Sequence, residues 1–188
     1  MKKEILRSEQ KKESTWDLEA VYKNEKDYQK DYDTVTSLIK ELASFQGNLL
    51  KDSTHLVEFL EKSEQAERLI CKLGTYALRK YDEDISNVDS QVLSGKFNQL
   101  EASYSEKTAF FTPELLKVDF SVIEKMIEEN SKLEEYRLLF ERIFRNQPYT
   151  LSKNEEKLLS SLQVALSSSQ QIAGIIRNSE LQFGTILD

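Results

Sequence analysis

The side chains best able to do chemistry are few. The chain holds one histidine, His55, and one cysteine, Cys71. A His-Glu-x-x-His zinc motif sets two histidines on one helical face, so it cannot form here. A structural zinc site takes four good ligands, usually Cys and His, and there is one of each. Positions 55 and 71 differ by 16 and fall on one predicted helix. At about 1.5 Å of rise per residue they stand about 24 Å apart, too far for a hydrogen-bonded nucleophile and base. Cys71 is expected as a small packed thiol, and His55 as a solvent-facing residue in the first turn of its helix. The five glycines are Gly47, Gly74, Gly95, Gly174 and Gly184, no two closer than ten residues. Phosphate-cradling loops need clustered glycines, and none exists. The string Asp82-Glu83-Asp84-Ile85-Ser86-Asn87 opens like a calcium loop. Its sixth position is Asn87 instead of Gly, and its twelfth is Leu93 instead of Glu. It reads as an acidic turn, with Asn87 or Asp89 starting the next helix. Carboxylates are plentiful, yet nothing marks one pair as general acid and base. No catalytic, cofactor-binding or metal-ligating residue is therefore assigned in this chain.

The elements that hold these residues read as helices from Ser14 onward. Ser14 and Asp17 have capping-box spacing before a short apolar turn. Asn24 can cap a helix whose residues Tyr28, Tyr32, Val35, Ile39 and Leu42 share one face. Gly47 is a natural stop. A second long helix places Leu56, Phe59, Leu60, Ala66, Ile70, Leu73 and Ala77 in a buried stripe. Its wet side carries the i,i+4 pairs Glu58–Lys62 and Glu64–Arg68. A third aligns Leu93, Phe97, Leu100 and Tyr104. The predicted long antiparallel helices lie near 24–45, 54–81 and 88–110. Pro113 suits the first turn of a short piece. Ser121 with Glu124, Ser131 with Glu134, and Ser152 with Glu155 mark three shorter helices. Phe120, Ile123 and Ile127 face inward from the first of these. Leu133, Tyr136, Phe140 and Ile143 do so from the second, which stops before Pro148. Leu158, Leu159, Leu162 and Leu166 line the third, and Ile172, Ile175 and Ile176 resume a helical stripe. Residues 181–188 alternate as a strand does, with Leu181 and Phe183 on one side. The aromatic residues Tyr28, Tyr32, Phe97, Tyr104 and Phe111 read as core and not as a ligand platform. Gly74 and Gly95 lie equally far from the turn between the second and third helices. They are expected to mark a close approach of the two backbones.

Composition sets the class. Of 188 residues, 39% are hydrophobic and 31% charged, enough for a core and for a wet surface. Gly and Pro number only 5 and 2, which argues against a turn-rich all-β design. The fold class is all-α: an elongated bundle of long antiparallel helices, shorter C-terminal helices and a terminal strand-like segment. Net charge is -7, so a chain-wide basic footprint for nucleic acid is absent. No run of 18 apolar residues exists, and no membrane partner is expected. Residues 1–13 carry five basic side chains among acids and read as a flexible charged arm, too polar for a signal peptide. One cysteine excludes an internal disulfide and fits a reducing compartment.

Several strings together resemble the N-terminal lobe of the oligoendopeptidase F family, which are thimet-oligopeptidase-like zinc metallopeptidases. The first is Thr15-Trp16-Asp17-Leu18. The second is Tyr76-Ala77-Leu78-Arg79-Lys80-Tyr81-Asp82-Glu83-Asp84, followed by Asn87. Then come Phe110-Phe111-Thr112-Pro113-Glu114-Leu115 and Thr150-Leu151-Ser152 with Glu155, Glu156, Leu158 and Leu159. The last is Asn178-Ser179-Glu180-Leu181-Gln182-Phe183. Their order and spacing over 16–183 carry the resemblance. The sequence departs from the family's pattern at Val88, where Pro is frequent, at Tyr149, where His is frequent, and at 177–181. The resemblance implies that residues 14–188 are a helical lobe packed on a catalytic lobe of the same polypeptide. That catalytic lobe would carry the zinc and is absent from this chain. It implies a cytoplasmic enzyme that hydrolyses short peptides, with this lobe as one wall of the peptide channel and inactive alone. The chain ends within a strand-like segment, as an excised part would. A stand-alone helical protein-interaction module without activity is the alternative.

Overall fold

The computed structural model describes residues 10–149 and positions 169, 172, 173 and 176. Backbone packing divides the chain into two units, 1–144 and 145–188. Six α-helices are found among the described residues: α1 (Glu25–Ala43), α2 (Ser53–Glu83), α3 (Val88–Thr108), α4 (Phe111–Leu115), α5 (Phe120–Glu129) and α6 (Arg137–Asn146). Short 3-10 turns cover Lys12–Ser14, Leu18–Ala20, Ser131–Tyr136 and Gln147–Tyr149. No strand occurs among the described residues. The strand-like tail at 181–188, the Ser152–Glu155 box and the leucines after it lie outside them. In the second unit Ser169, Ile172 and Ala173 are helical, and Ile172 and Ile176 are exposed.

The three long helices begin where side chains can satisfy their first N–H groups. Asn24 accepts from the Asp27 amide at 3.0 Å, Asp52 from His55 at 2.8 Å and Asn87 from Ser90 at 2.9 Å. Each occupies the N-cap, where a short polar side chain stabilises a helix by about 1 kcal/mol. The shorter helices begin one or two residues earlier than expected. Asp119, not Ser121, stands at the N-cap of α5 without a side-chain cap bond. Asn130 displaces Ser131 as the cap of the turn before α6, accepting from Lys132 at 3.2 Å. The Ser14–Asp17 box is not made either: Asp17 forms no cap bond, and only a 3-10 turn follows. In each case a neighbouring Asp or Asn, or too short a helix, takes precedence over the serine.

Ion pairs reveal the register of the bundle. Lys62 reaches Glu41 at 2.5 Å, and ten residues on, Lys72 reaches Asp31 at 2.9 Å. Rising numbers on α2 against falling numbers on α1 make the pair antiparallel. Tyr104 on α3 donates to Glu67 on α2 at 2.8 Å, and Phe97 covers Gly74, so α3 is antiparallel to α2. All three long helices pack on one another. Gly47 ends the α1 turn with φ +84°, a backbone conformation that glycine adopts freely. Its amide donates to the buried Glu114 of α4 at 2.6 Å, tying α4 to the α1–α2 loop.

Two cores result. Leu42, Phe45, Leu56, Phe59, Leu115 and Phe140 belong to one, where α4, α5 and α6 close on the long helices. The other, built from α1, α2, α3 and the segment before α1, is rich in tyrosine: Tyr22, Tyr28 and Tyr76 with Val35, Leu73 and Phe97. The expected α2 stripe is buried at every position. Cys71, in contrast, is exposed. It follows Ile70 by about 100° of helical turn, which carries it off the stripe.

The paired-glycine expectation is corrected. A Cβ on Gly74 would lie 2.5 Å from Cζ of Phe97, whereas one on Gly95 meets nothing within 4 Å. Gly74 therefore admits a ring and not a backbone. Phe97 faces α2 and Ser94 is buried, whereas Gly95, one residue round from Ser94, is exposed.

Candidate functional site

The residues singled out for chemistry remain apart. His55 and Cys71 both lie on α2. His55 is half-buried, not solvent-facing as expected, because its ring leans on Phe45 with centroids 4.5 Å apart. In the acidic turn Asp84 accepts from the amide and hydroxyl of Ser86 at 2.9 and 2.6 Å, which holds its carboxyl below its ordinary range. Asp82 is paired with Arg79 at 2.6 Å. Among the described residues no group of three or more His, Cys, Asp or Glu is placed to hold a metal ion. Zinc does not fit the donors of the described residues, and no step through it is assigned to them.

What the fold does assemble is a tyrosine cluster between two grooves. Tyr22, from the segment before α1, sits edge-on to Tyr28 and to Tyr76, each at 5.4 Å between centroids. Its hydroxyl donates to Asp31 at 2.8 Å, and Lys72 donates to the same carboxylate oxygen at 2.9 Å. The Lys72 ammonium also lies 4.1 Å from the Tyr22 ring centroid, a cation over a π face. Burial opposes ionisation of Asp31, but the bonds from Lys72 and Tyr22 and the charge of Lys72 hold its pKa below the ordinary 3.8. A native pKa below the unfolded one stabilises fully above the unfolded value and is lost as pH falls through the native value. Asp31→Asn is expected to lower stability by about 1–2 kcal/mol at neutral pH and to flatten the loss of stability below pH about 4. Thermal melts from neutral to acid pH check this. An acid limb identical to that of the parent chain would assign the loss to other carboxylates.

Burial dominates the tyrosines. It pushes Tyr28 up to about 12 and raises Tyr22, Tyr104 and Tyr136 above the ordinary 10.0. Raised native values stabilise fully below the unfolded pKa and lose that contribution as pH climbs through the native one. An alkaline absorbance titration should show the part of the tyrosine signal due to Tyr22, Tyr28, Tyr104 and Tyr136 delayed beyond the ordinary range, together with unfolding. A single ordinary phase for all eight tyrosines would contradict the cluster.

The larger groove, about 1190 Å³, runs under the segment before α1 past Trp16, Tyr22, Tyr76 and Lys80. Arg79 lies over the exposed Trp16 ring, 5.4 Å from its centroid. The second groove, about 650 Å³, lies between α1, the end of α2 and the start of α3. Glu25, Tyr76 and Lys80 line both. The stripe of α1 points to Tyr28 and Tyr32 in the sequence, but not to Tyr22 and Tyr76 as their partners. Tyr76 precedes Ala77 by one residue and follows Leu73 by three, so a wider α2 stripe includes it. On α3, Val88 and Val92 are exposed one turn apart.

This helical arrangement has known counterparts. The family model described as Oligopeptidase F matches residues 114–183. The oligopeptidase PepF of Bacillus subtilis is 31% identical over 97% of this chain and 27% of its own length. The group B oligopeptidase PepB of Streptococcus agalactiae is 30% identical over 91% of this chain and 28% of its own. The crystal structure of oligoendopeptidase-F from Enterococcus faecium superposes with a TM-score of 0.72 at 26% identity, covering 87% of this chain and 32% of that one. The chain belongs with the N-terminal part of the oligoendopeptidase F family. It spans less than a third of the length of these two curated relatives.

Proposed function

We propose that this chain is the helical N-terminal lobe of a zinc-dependent oligoendopeptidase that hydrolyses short peptides. One observation carries the reading. Similarity to an oligopeptidase runs over 97% of this chain yet over only 27% of that relative, while no metal-binding group occurs among the described residues. On this reading the chemistry belongs to a catalytic region of the same polypeptide. There a zinc held by two helical histidines and a third ligand would polarise the scissile carbonyl and activate water. Residues 14–188 supply one wall of the peptide channel and are inactive alone, and residues 1–13 form an arm outside that lobe. A wall of long capped helices suits the role, because a rigid scaffold limits the channel to short unfolded peptides. The enzyme works in the cytoplasm on this reading, in line with the single cysteine. No helix among the described residues is long and apolar enough to cross a membrane. Sequencing the reading frame beyond Asp188 tests the proposal. A downstream His-Glu-x-x-His is the expected result; a stop codon there would favour the interaction module.

A further inference from the structure

The smaller groove, between α1, the end of α2 and the start of α3, has features that packing alone leaves unused. Tyr28 lines it and is 5% exposed, and its hydroxyl is the one enclosed side-chain polar atom without a hydrogen-bond partner among the described residues. A buried hydroxyl left unpaired costs about 1–3 kcal/mol, so such a group calls for a partner. The phenol keeps its proton far into the alkaline range and can therefore donate to an acceptor. Two lysines line the same groove, Lys80 from α2 and Lys96 from α3. Neither has a carboxylate within ion-pair distance among the described residues: Lys80 reaches only the hydroxyl of Tyr76, at 3.2 Å, and its ring face. Asn87, Asp89 and Ser90 bring the first turn of the 21-residue α3 to the wall, where the helix dipole favours a negative group. Tyr32 and Leu93 supply partly buried apolar surface. Glu25 and Asp89 also line the groove. They offset the formal charge of the two lysines, which disfavours a multiply charged anion such as phosphate more than a single carboxylate.

We propose that this groove binds a terminal α-carboxylate carried beside an aromatic side chain. Lys80 and Lys96 hold the charge, the Tyr28 hydroxyl donates to an acceptor, and the side chain rests on Tyr32 and Leu93. The volume, about 650 Å³, suits a residue or two. The inference goes beyond the peptidase reading and stands without it, since every residue invoked lies in this chain. The C-terminus of a peptide and a free aromatic amino acid share this chemistry.

Isothermal titration of the 188-residue chain with N-acetyl-alanyl-phenylalanine, its C-terminal amide and free phenylalanine provides the test. The acid should bind about tenfold more tightly than the amide. Lys96→Gln, at an exposed position, and Lys80→Gln should each weaken the acid about fivefold and leave the amide unchanged. Tyr28→Phe keeps the ring and should weaken the acid as well. Phenylalanine binding as tightly as the acid would support the carboxylate site with a free amino acid as its source, and weaker binding would support a peptide end. Equal binding of acid and amide, no binding of either, or an acid affinity untouched by Lys96→Gln in a folded variant would overturn the proposal.

Discussion

Truncating Phe59 to alanine is expected to cost about 3–5 kcal/mol, more than any other single substitution proposed for this chain. Phe59 is 1% exposed and stands where three aromatic neighbours meet. Its ring is 5.6 Å from that of Phe45, 5.6 Å from Phe110 and 5.1 Å from Phe111. Phe45 follows α1, Phe59 lies on α2, Phe110 immediately precedes α4 and Phe111 opens it. Removing this ring opens a cavity shared by all of those segments, and close-packed helices relax only partly into it. A domain's total stability is about 5–15 kcal/mol, so the variant should lose a large share of it. Urea denaturation monitored by far-UV circular dichroism gives the measurement. A loss below about 1 kcal/mol would place Phe59 outside the core and contradict the packing of α4 against the long helices.

The two helical glycines should respond in opposite directions. Gly74→Leu is expected to destabilise by about 3 kcal/mol, near the upper end for overpacking. Even a Cβ there would lie 2.5 to 3.1 Å from three atoms of the Phe97 ring, and Phe97 is itself buried at 3% exposure. The ring has nowhere to go without separating α2 from α3. Gly95→Leu, in open space on the same helical pair, should stabilise by about 0.5–1 kcal/mol through helix propensity alone. The same denaturation experiment reads both. A stabilising Gly74→Leu would show that α3 does not lie with Phe97 over that glycine.

Phe59 and the glycines also mark where the sequence is readable. Leu56, Phe59, Leu73 and Ala77 are legible because apolar residues repeating at three and four positions have only one way to be buried on a helix. The caps Asn24 and Asn87 are legible for a similar reason, being short polar side chains just ahead of a periodic run. Choices between adjacent candidates are not: Asn130 takes the cap expected of Ser131, since both side chains can fill it and only tertiary packing decides. Gly95 misleads because equal distance from a turn fixes height along a hairpin and not the direction a residue faces. Cys71 misleads because a preference for burial yields to the helical phase set by Ile70 and Leu73. The lysine-flanked groove is least legible. Its members come from three helices, and no spacing within one segment announces that Tyr28, Lys80 and Lys96 share a wall. Function is legible only as resemblance, through strings such as the one from Tyr76 to Asp84.

On the proposed reading this lobe contributes structure, and a catalytic region of a longer polypeptide the zinc chemistry. That reading is tested most directly by assaying short-peptide hydrolysis and bound zinc in two preparations, the 188-residue chain alone and the same chain joined to the catalytic region that the proposal requires. No hydrolysis and no zinc surviving dialysis are expected for the chain alone, and both for the longer protein. Peptide hydrolysis that tracks with the purified 188-residue chain, or stoichiometric zinc retained by it, would contradict the account.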